Sequence, residues 1–403
     1  MKVLVINCGS SSLKYRLIET ETKEVICKGL CERIGIDGGH FKYEVTGSDR
    51  GFEKDVDLPD HNTAVDILIK AVTDPEHGVV ADVSEIGAVG HRIVHGGDKF
   101  TGATLITPEV MSVIEECSDL APLHNPANIQ GIRSCRKVMP DTNMVGVFDT
   151  AFHQSIPEKA YLYGIPYEYY EKYGIRKFGF HGMSHEYVAR ETAAMLGKDI
   201  KEVKTIVCHL GNGASITAVN GGKSVDTSMG YTPLDGIIMG TRCGSLDPEI
   251  VHAMADDTGD SLEEVMKVLN FKSGLYGLSG NISSDMRDIE DAYAAGNEAA
   301  VRAFDTYIYT IVKYIGSYIA VLGGIDALTF TAGIGENSPT VRKHVCSYLK
   351  GLGVEIDSAA NEQGRGGRCI STADSAFKVF TIPTDEEMSI ALSTAEVVAK
   401  HNA

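Results

Sequence analysis

The fold of this chain is decided by its amino-terminal stretch, MKVLVINCGSSSLKYRL, residues 1–17. Residues 3–6 form a continuous apolar run of strand length, and residues 13–17 resume the alternation of apolar and polar side chains that is typical of a strand. Only a few small residues separate the two runs. The pattern therefore predicts a β-hairpin with a connection over residues 7–12.

The predicted connection has the chemistry of an anion-binding turn. Gly9 permits a tight backbone path, and the hydroxyls of Ser10 and Ser12 point outward together with several backbone N–H groups. Lys14 lies two residues beyond Ser12, on the same strand face, and adds a positive charge of the kind that favours phosphate. Taken alone, the same turn is equally compatible with a flexible hairpin tip.

The pattern returns in the middle of the chain, which favours the anion-binding interpretation. Residues 205–210 are a second apolar run, residues 211–214 a second small-residue turn and residues 215–219 a second return strand. Gly211 then takes the place of Gly9. Two such hairpins predict a duplicated α/β domain with a nucleotide between the copies, because each turn can hold the polyphosphate from one side.

Bulk composition is that of a folded, soluble protein and restricts the partners. The 403 residues are 43% hydrophobic and 23% charged, and the formal net charge is -18. So acidic a protein is not expected to bind nucleic acid or an anionic membrane surface, and no uncharged apolar run is long enough to span a bilayer. Any anionic ligand must be held by local arginine and lysine side chains.

The cysteines indicate a reducing compartment. There are nine of them, an odd number without a Cys-x-x-Cys pair, and no signal peptide is predicted at the amino terminus. We therefore expect reduced thiols and a cytoplasmic protein.

Two arginines lie among glycines in polar stretches. Arg92 follows directly on a strand predicted over residues 86–89, and Arg242 lies in a polar loop. Ligands of open α/β sheets bind beyond the strand ends, so we expect these guanidinium groups to serve a ligand. The neighbouring His91 and His95 are expected to make structural hydrogen bonds instead.

Two further polar residues lie at the ends of predicted elements. Asp149 follows a strand predicted over residues 145–148, where an acidic residue beside Thr150 commonly contacts Mg²⁺ directly or through water. The alternative for Asp149 is that it caps the next segment. His181 precedes a helix predicted from Ser184 and can donate to a bound anion from the helix start.

Periodicity predicts the large helices. Apolar residues spaced three and four apart indicate helices over residues 63–72, 127–138 and 301–322, the last about six turns long. Asn62 or Thr63 is expected to cap the first of these helices.

A glycine turn is predicted toward the carboxyl end. A strand over residues 327–331 runs into a turn over residues 333–339 and then into a helix through Leu349. Such a turn brings backbone close to a flat base or ribose, and Glu336 and Asn337 can bond sugar hydroxyls.

Three motifs together carry a specific family resemblance. They are NCGSSSLK at residues 7–14, TPLDG with MGTRCGSLDP within residues 232–248, and FTAGIGEN at residues 330–337. In this order, and over essentially the whole chain, the sequence resembles the acetate kinase family. Cys243 and Asp235 stand where we associate the family with Ser and Glu, and neither position supplies a key charge.

The resemblance implies a fold, an assembly and a reaction. The implied fold is α/β, with two duplicated actin-like (ribonuclease H-like) domains and an interdomain cleft, usually as a homodimer. The first domain would comprise residues 1–150 plus 385–403, and the second, nucleotide-binding domain residues 151–384. The implied reaction converts ATP and acetate reversibly to ADP and acetyl phosphate with Mg²⁺, for which Mn²⁺ is expected to substitute.

The resemblance also implies the site residues. For the metal ion these are Asn7 and Glu386. For catalysis they are Arg92, Asp149, His181 and Arg242. For acetate they are Arg92, Val94, Leu123, His124, Phe180 and Pro233. For the nucleotide they are Lys14, Ser10, Ser12, His209, Leu210, Gly211, Asn212, Gly213, Asp285, Met286, Arg287, Gly333, Ile334, Gly335, Glu336 and Asn337. Without the resemblance, neither His124 nor Glu386 attracts notice, since Glu386 is typical of an ordinary helix-start acid.

The implied reaction is consistent with these residue types. A carboxylate is already ionised at neutral pH, so the nucleophile needs no general base. One anion attacks another, so Arg92, Arg242 and His181 are expected to offset repulsion and hold the transferring group in line. Asp149 is expected to position Mg²⁺ and arginine rather than to move a proton. Two alternatives remain: propionate or butyrate as the main substrate, and an ATP-driven conformational protein of the actin/hsp70 type, which needs no paired arginines.

Overall fold

The amino-terminal hairpin is present as predicted. The computed structural model describes residues 1–122 and 124–402, and in it β1 (Lys2–Cys8) pairs antiparallel with β2 (Ser12–Glu19). Residues 3–6 of β1 are all buried. Burial on both faces of the sheet explains why this strand has a continuous apolar sequence while β2 alternates.

The chain divides into two compact units, Met1–Gln154 with Asp385–Ala403, and Ser155–Thr384. The first unit contains an eight-stranded sheet with the order β5-β4-β3-β2-β1-β6-β8-β7. Its neighbouring strands are antiparallel except for β1, β6 and β8, which are mutually parallel. The further strands are β3 (Glu24–Glu32), β4 (His40–Val45), β5 (Phe52–Asp55), β6 (Ala88–Ile93), β7 (Thr104–Leu105) and β8 (Asn143–Phe148).

Four α-helices lie within the described residues of the first unit. They are α1 (His61–Val72), α2 (Pro108–Glu116), α3 (Asn125–Val138) and the C-terminal helix (Glu386–His401). The predicted cap of α1 was wrong, because the Asp60 side chain accepts the Thr63 N–H and α1 begins directly after Asp60. The C-terminal helix packs on β6 and β8. Gly90 permits this approach, since a Cβ there would lie 2.5 Å from Thr394 Oγ1.

The second unit contains a six-stranded sheet with the order β11-β10-β9-β12-β14-β13. The strands are β9 (Lys204–Leu210), β10 (Ala214–Asn220), β11 (Lys223–Thr227), β12 (Ala327–Thr331), β13 (Arg368–Cys369) and β14 (Lys378–Thr381). The predicted second hairpin is therefore formed by β9 and β10. Their register pairs Leu210 with Ala214 across the turn.

The two sheets repeat one topology. In each, three antiparallel strands that follow one another in sequence are extended by two parallel strands, as β3-β2-β1-β6-β8 and as β11-β10-β9-β12-β14. The predicted fold class, a duplicated α/β architecture, is confirmed by this repetition.

Eleven helices of the second unit lie within its described residues. They are α4 (Glu158–Tyr161), α5 (Glu168–Tyr173), α6 (Gly182–Leu196), α7 (Glu249–Thr258), α8 (Leu262–Phe271), α9 (Gly274–Leu278), α10 (Met286–Ala294), α11 (Glu298–Leu322), α12 (Ala332–Asn337), α13 (Pro339–Tyr348) and α14 (Ser358–Glu362). The long predicted helix is α11, whose buried stripe includes Phe304, Ile308, Ile311 and Ile315. Among the described residues, no helix combines the length and the apolar character that crossing a membrane requires.

Two predicted boundaries differ from the structure near the expected ligand residues. Arg92 lies inside β6 rather than beyond the strand, because β6 begins and ends later than the strand predicted over residues 86–89. The predicted glycine turn is the short helix α12, which starts with Ala332 at a φ of 64°. Glycines at residues 333 and 335 obscured this helix in the sequence.

Candidate active site

Three parallel strands of the first unit end at one edge of its sheet. Asn7 and Arg92 are the second-last residues of β1 and β6, and Asp149 directly follows β8. The register of these strands aligns their carboxyl ends. Lys14 of β2 is paired with Asn7. Ligands of α/β sheets bind beyond such an edge, so these polar residues form a candidate ligand group.

Arg92 and Asp149 form a two-point ion pair within the first unit. Arg92 Nε donates to Asp149 Oδ1 over 3.1 Å, and Arg92 Nη2 donates to Oδ2 over 2.8 Å. The side chain of Asp149 is 3% exposed and that of Arg92 is 23% exposed. Burial raises the pKa of the Asp149 carboxyl against the opposing effect of Arg92, while Asp149 raises the pKa of the Arg92 guanidinium. The pair fixes the direction of the arginine side chain.

Two residues from other elements act electrostatically on this pair. Glu386, the first residue of the C-terminal helix, raises the pKa of both Arg92 and Asp149 through its negative charge. The charge of His124, which precedes α3, lowers the pKa of Asp149. Both residues therefore lie close to the ion pair although neither is near it in sequence.

Two asparagines at the start of α3 hold the backbone beyond the strands. Asn128 Oδ1 accepts the Val94 N–H over 3.1 Å, and Asn128 Nδ2 donates to the Cys8 carbonyl over 2.8 Å. Asn125 bonds both backbone groups of His95 in the same way, over 3.1 and 2.9 Å. An amide side chain supplies one acceptor and one donor, and each asparagine here uses both.

The predicted anion-binding turn of the first hairpin is closed by its own backbone. The Gly9 N–H donates to the Ser12 carbonyl over 2.8 Å, and His61 Nε2 lies 2.9 Å from the Gly9 carbonyl oxygen. Ser10 and Lys14 are exposed, and Ser12 is half-buried. These side chains remain candidates for phosphate contacts.

Three histidines cluster within the second unit. The rings of His181 and His209 stack with centroids 4.2 Å apart and planes 22° from parallel, and His185 lies beside both. Ser215 Oγ is 2.8 Å from His181 Nδ1 and 2.7 Å from His185 Nε2. Ser184 Oγ is 2.7 Å from His209 Nδ1. Buried serine hydroxyls thus orient the stacked imidazoles.

His181 has a strained backbone conformation at the start of α6. Its φ of 58° lies in the left-handed region, which costs a residue with a Cβ about 1 to 2 kcal/mol. A Cβ added to Gly213 would lie 3.7 Å from His181 Nε2 and 3.4 Å from Arg242 Nη1. The imidazole and the guanidinium therefore converge on the β9–β10 turn. Strain at converging donors is typical of a functional site.

Arg242 is half-buried and has no carboxylate partner among residues 1–122 and 124–402. Its Nη1 donates to the Pro233 carbonyl over 3.3 Å and lies 3.8 Å from Met239 Sδ. Burial lowers the pKa of the guanidinium. A buried charge normally has a counter-ion, so this arginine is suited to an anionic ligand.

A cavity of about 530 Å³ lies beside the same turn. This volume is in the range of small-molecule sites. The lining residues are Gly211, Asn212, Ser284, Asp285, Met286, Arg287, Glu290, Gly333, Ile334, Asn337, Ser338 and Arg365. A larger groove of about 860 Å³ in the first unit is lined by none of the predicted residues.

A close backbone approach shapes the cavity wall. The Gly240 N–H donates to the Asn212 carbonyl over 3.0 Å, and a Cβ on Gly240 would lie 1.8 Å from Asn212 Oδ1. Any side chain at this position, which lies two residues before Arg242, would therefore force Asn212 to move. The hydrogen bond between Gly240 and Asn212 therefore fixes the β9–β10 turn relative to the loop that carries Arg242.

Comparison with known proteins identifies the family of this chain. A model of the acetokinase family matches residues 2–392. The chain belongs to the acetokinase family. It is 55% identical to an acetate kinase of Agathobacter rectalis over 99% of this chain and 100% of that one. The predicted family is confirmed.

Solved structures of similar proteins support the acetokinase assignment. The acetate kinase of Porphyromonas gingivalis has a TM-score of 0.94 and 44% identity, covering 98% of this chain and 99% of that one. A propionate kinase of Francisella tularensis has a TM-score of 0.91 and 40% identity, with the same coverage of 98% and 99%. The predicted fold class is therefore also that of acetokinase-family structures.

The nucleotide residues predicted for this acetokinase divide by position. Eight line the cavity: Gly211, Asn212, Asp285, Met286, Arg287, Gly333, Ile334 and Asn337. His209 belongs to the histidine cluster instead, and Gly213 lies beside His181 of that cluster. Leu210 is buried, Gly335 packs against β12 backbone, and the Glu336 carboxylate accepts the Thr384 N–H over 3.1 Å. Residues 335 and 336 do not line this cavity, and the expectation that the whole segment contacts the nucleotide stays a prediction.

The predicted acetate residues have different environments. Val94 is half-buried directly after β6 in the first unit, and His124 is exposed. Phe180 is buried and Pro233 half-buried in the second unit. Leu123 lies outside the described residues.

The two residues predicted for a metal ion, Asn7 and Glu386, supply an amide oxygen and a carboxylate. Among the described residues, no group of three or more His, Cys, Asp and Glu is arranged to hold a metal by itself. Mg²⁺ commonly takes one or two protein oxygens and completes its shell with water and substrate phosphate. The donor set present therefore fits Mg²⁺.

Several residues of this site were missed in the sequence. Ser184 and Ser215 escaped because their importance lies in contacts with histidines far along the chain. Arg365 was also missed, yet it stands between glycines at residues 364 and 366, as Arg92 and Arg242 stand near glycines. That signal could have identified it.

Proposed function

We propose that this chain catalyses reversible, metal-dependent phosphoryl transfer from ATP to acetate, giving acetyl phosphate and ADP. The observation that carries the proposal is Arg242, a half-buried guanidinium without a carboxylate partner among the described residues, converging with His181 on the Gly213 turn. Two such donors suit a transferring phosphoryl group. The adjacent cavity is lined by half of the residues predicted for the nucleotide.

The reaction requires position and charge rather than proton transfer. An acetate oxygen attacks the γ-phosphorus of ATP, the bond from that phosphorus to the bridging oxygen breaks, and the electron pair leaves with ADP. Acetate is ionised at neutral pH, so no base removes a proton. Arg242 and His181 are proposed to bind the transferring oxygens, and Arg92 is proposed to bind acetate while Asp149 holds its guanidinium in place.

Asn7 and Glu386 are proposed to hold Mg²⁺. When bound, the ion would neutralise phosphate charge and orient the polyphosphate. Glu386 also balances the cationic environment of Arg92, whose pKa it raises. The domain division predicted from the sequence, with the substrate cleft between the domains, stays a prediction.

A coupled assay tests the proposal directly. Purified protein with ADP, acetyl phosphate and Mg²⁺ should form ATP, and EDTA should abolish this activity. Mn²⁺ should restore part of it. Hydrolysis of ATP without transfer in either direction would refute the proposal and return attention to an ATP-driven conformational protein.

Propionate is the second candidate substrate, favoured by the similarity to a propionate kinase at 40% identity. The identity to an acetate kinase is higher, at 55%. A pocket discriminates by about 1 to 3 kcal/mol per methylene group, so both acids should react at different kcat/KM. Measuring acetate, propionate and butyrate side by side ranks them.

We also propose a homodimer in the cytoplasm. The dimer follows the family resemblance, and light scattering of purified protein at micromolar concentration should give twice the 43.3 kDa chain mass. The nine cysteines are all free, seven of them buried, as suits a reducing compartment. Fractionation of the source cells would test the location.

A further inference from the structure

The stacked histidines raise a question about which ring nitrogen carries a proton. A neutral imidazole has one N–H donor and one acceptor nitrogen. In the proposed function, His181 must present an N–H at Nε2, the nitrogen nearest the Gly213 turn. Nδ1 must then be the acceptor when the ring is neutral.

The stacking disfavours the simple alternative, in which both rings are imidazolium ions. The centroids of His181 and His209 are only 4.2 Å apart, so two positive charges would repel strongly in a largely buried cluster. Arg242 adds a third positive charge on the same turn. A neutral ring with a fixed N–H is the arrangement that donates to an anion without this repulsion.

We propose that Ser215 is a positioning residue that fixes His181 as the neutral Nε2–H tautomer. Its hydroxyl lies between two rings, 2.8 Å from His181 Nδ1 and 2.7 Å from His185 Nε2. A hydroxyl has one proton to donate and can accept two bonds. His185 Nε2–H donates to Ser215 Oγ, and the Ser215 hydroxyl donates to His181 Nδ1. His181 Nε2–H then faces the transferring phosphoryl group.

A second, independent contact set repeats this arrangement. Ser184 Oγ is 2.7 Å from His209 Nδ1 and 2.7 Å from Thr384 Oγ1. A Cβ on Gly211 would lie 3.9 Å from His209 Nε2. The Thr384 hydroxyl donates to Ser184, which donates to His209 Nδ1. Both stacked rings thus have Nδ1 bonded to a fully buried serine and Nε2 nearest the glycine turn.

The need for a neutral ring explains why the partner of His181 is a hydroxyl and not a carboxylate. A carboxylate in place of Ser215 would accept from Nδ1 and favour an imidazolium ion, as acid–histidine pairs do. A serine can instead donate to Nδ1 and leave the ring neutral.

The test combines a spectrum with kinetics. ¹⁵N-histidine labelling of the wild-type protein, with His181 assigned by comparison with His181→Gln, should show a protonated Nε2 and a bare Nδ1 at pH 7.5. Ser215→Ala should remove this preference and lower kcat roughly 10- to 100-fold, as loss of an orienting partner does. KM for ADP should change less than about twofold, because the cavity residues are untouched.

Thr217→Val is the matched control. Thr217 lies two residues along the same strand face, is buried, and bonds the Thr227 hydroxyl rather than a histidine. This variant should keep both the His181 tautomer and kcat. Equal losses in Thr217→Val and Ser215→Ala would mean that the strand, not the tautomer, was affected.

The inference rests on the proposed function, and the two can fail separately. A wild-type His181 protonated at Nδ1, or on both nitrogens, overturns the tautomer assignment even if the enzyme is active. A folded Ser215→Ala variant with wild-type kcat does so as well. Wild-type protein that forms no ATP from acetyl phosphate overturns the proposed function, while its spectrum still decides the tautomer. If Ser215→Ala does not fold, the wild-type spectrum remains decisive.

Discussion

The two arginines proposed to serve catalysis, Arg92 of the first unit and Arg242 of the second, differ in how their charges are balanced. Arg92 donates from Nε and Nη2 to the Asp149 carboxylate, whereas Arg242 donates to a backbone carbonyl. A compensated guanidinium can position a substrate, but an uncompensated one attracts an anion more strongly. We therefore expect the larger catalytic effect at Arg242.

Arg242→Ala should lower kcat by about 10² to 10³, because charge stabilisation worth about 3 to 4 kcal/mol is lost. Arg242→Lys should recover only part, since an ammonium cannot reproduce the bidentate fork. ADP affinity, measured by titration, should change little.

Arg190→Ala is the control for this prediction, since Arg190 pairs on the surface with Glu186. Its kcat should match wild type. Near-normal kcat in Arg242→Ala, or a loss confined to ADP binding, would remove Arg242 from the reacting centre.

Val94→Ala should shift specificity toward propionate by about tenfold in relative kcat/KM, the worth of about one methylene group. The change keeps the backbone bond from Val94 to Asn128. Competing acetate and propionate in one assay measures the shift. An unchanged ratio would show that Val94 does not contact the acyl group.

At the scale of elements, α12 shows how a helix can present glycine to a ligand. Gly333 lines the cavity, and a Cβ on it meets no protein atom within 4 Å. A methyl group there would reach into the cavity without disturbing the fold. Gly316 in α11 has equally open surroundings but lies away from the cavity.

Gly333→Ala should weaken ADP binding by about 1 to 3 kcal/mol through crowding. Stability to urea should be unchanged or higher by up to about 1 kcal/mol, as alanine favours a helix. Gly316→Ala should give only the stability gain. Normal ADP affinity in Gly333→Ala would place the nucleotide elsewhere.

Sequence periodicity predicted the elements that are long or strongly patterned. Both hairpins and α11 were found because apolar runs and helical spacing are local signals. The predicted cap of α1 and the turn predicted in place of α12 were wrong. Neighbouring choices of cap or turn differ little in local free energy, so tertiary contacts decide between them. The serine–histidine contacts join residues about 30 positions apart, so no local pattern could reveal them.

At the scale of the whole molecule, we expect the folded state to become less stable at acidic pH because His91 is buried as a neutral ring. Burial lowers the pKa of His91 to about 3 in the folded chain, with Arg136 acting in the same direction. The unfolded chain binds this proton near pH 6.5, so stability from the neutral ring is present above that pH and is lost as the pH falls. Between pH 7 and 5 the loss should be about 2 kcal/mol.

Urea unfolding at pH 7 and at pH 5 measures this effect. His91→Gln has no such proton, so its difference between the two pH values should be smaller than that of wild type by about 2 kcal/mol. Equal pH dependence in both proteins would show that His91 is protonated in the folded chain.

The C-terminal helix has a consequence for synthesis of the protein. It covers β6 and β8 of the first unit, yet the ribosome makes the 230 residues of Ser155–Thr384 first. At typical elongation rates, the uncovered strands wait roughly 10 to 50 s for their last partner. Nascent chains arrested at residue 384 should therefore be cut by protease in the first unit, whereas full-length chains on a linker should resist. Equal resistance would mean that the first unit folds before its final helix leaves the ribosome.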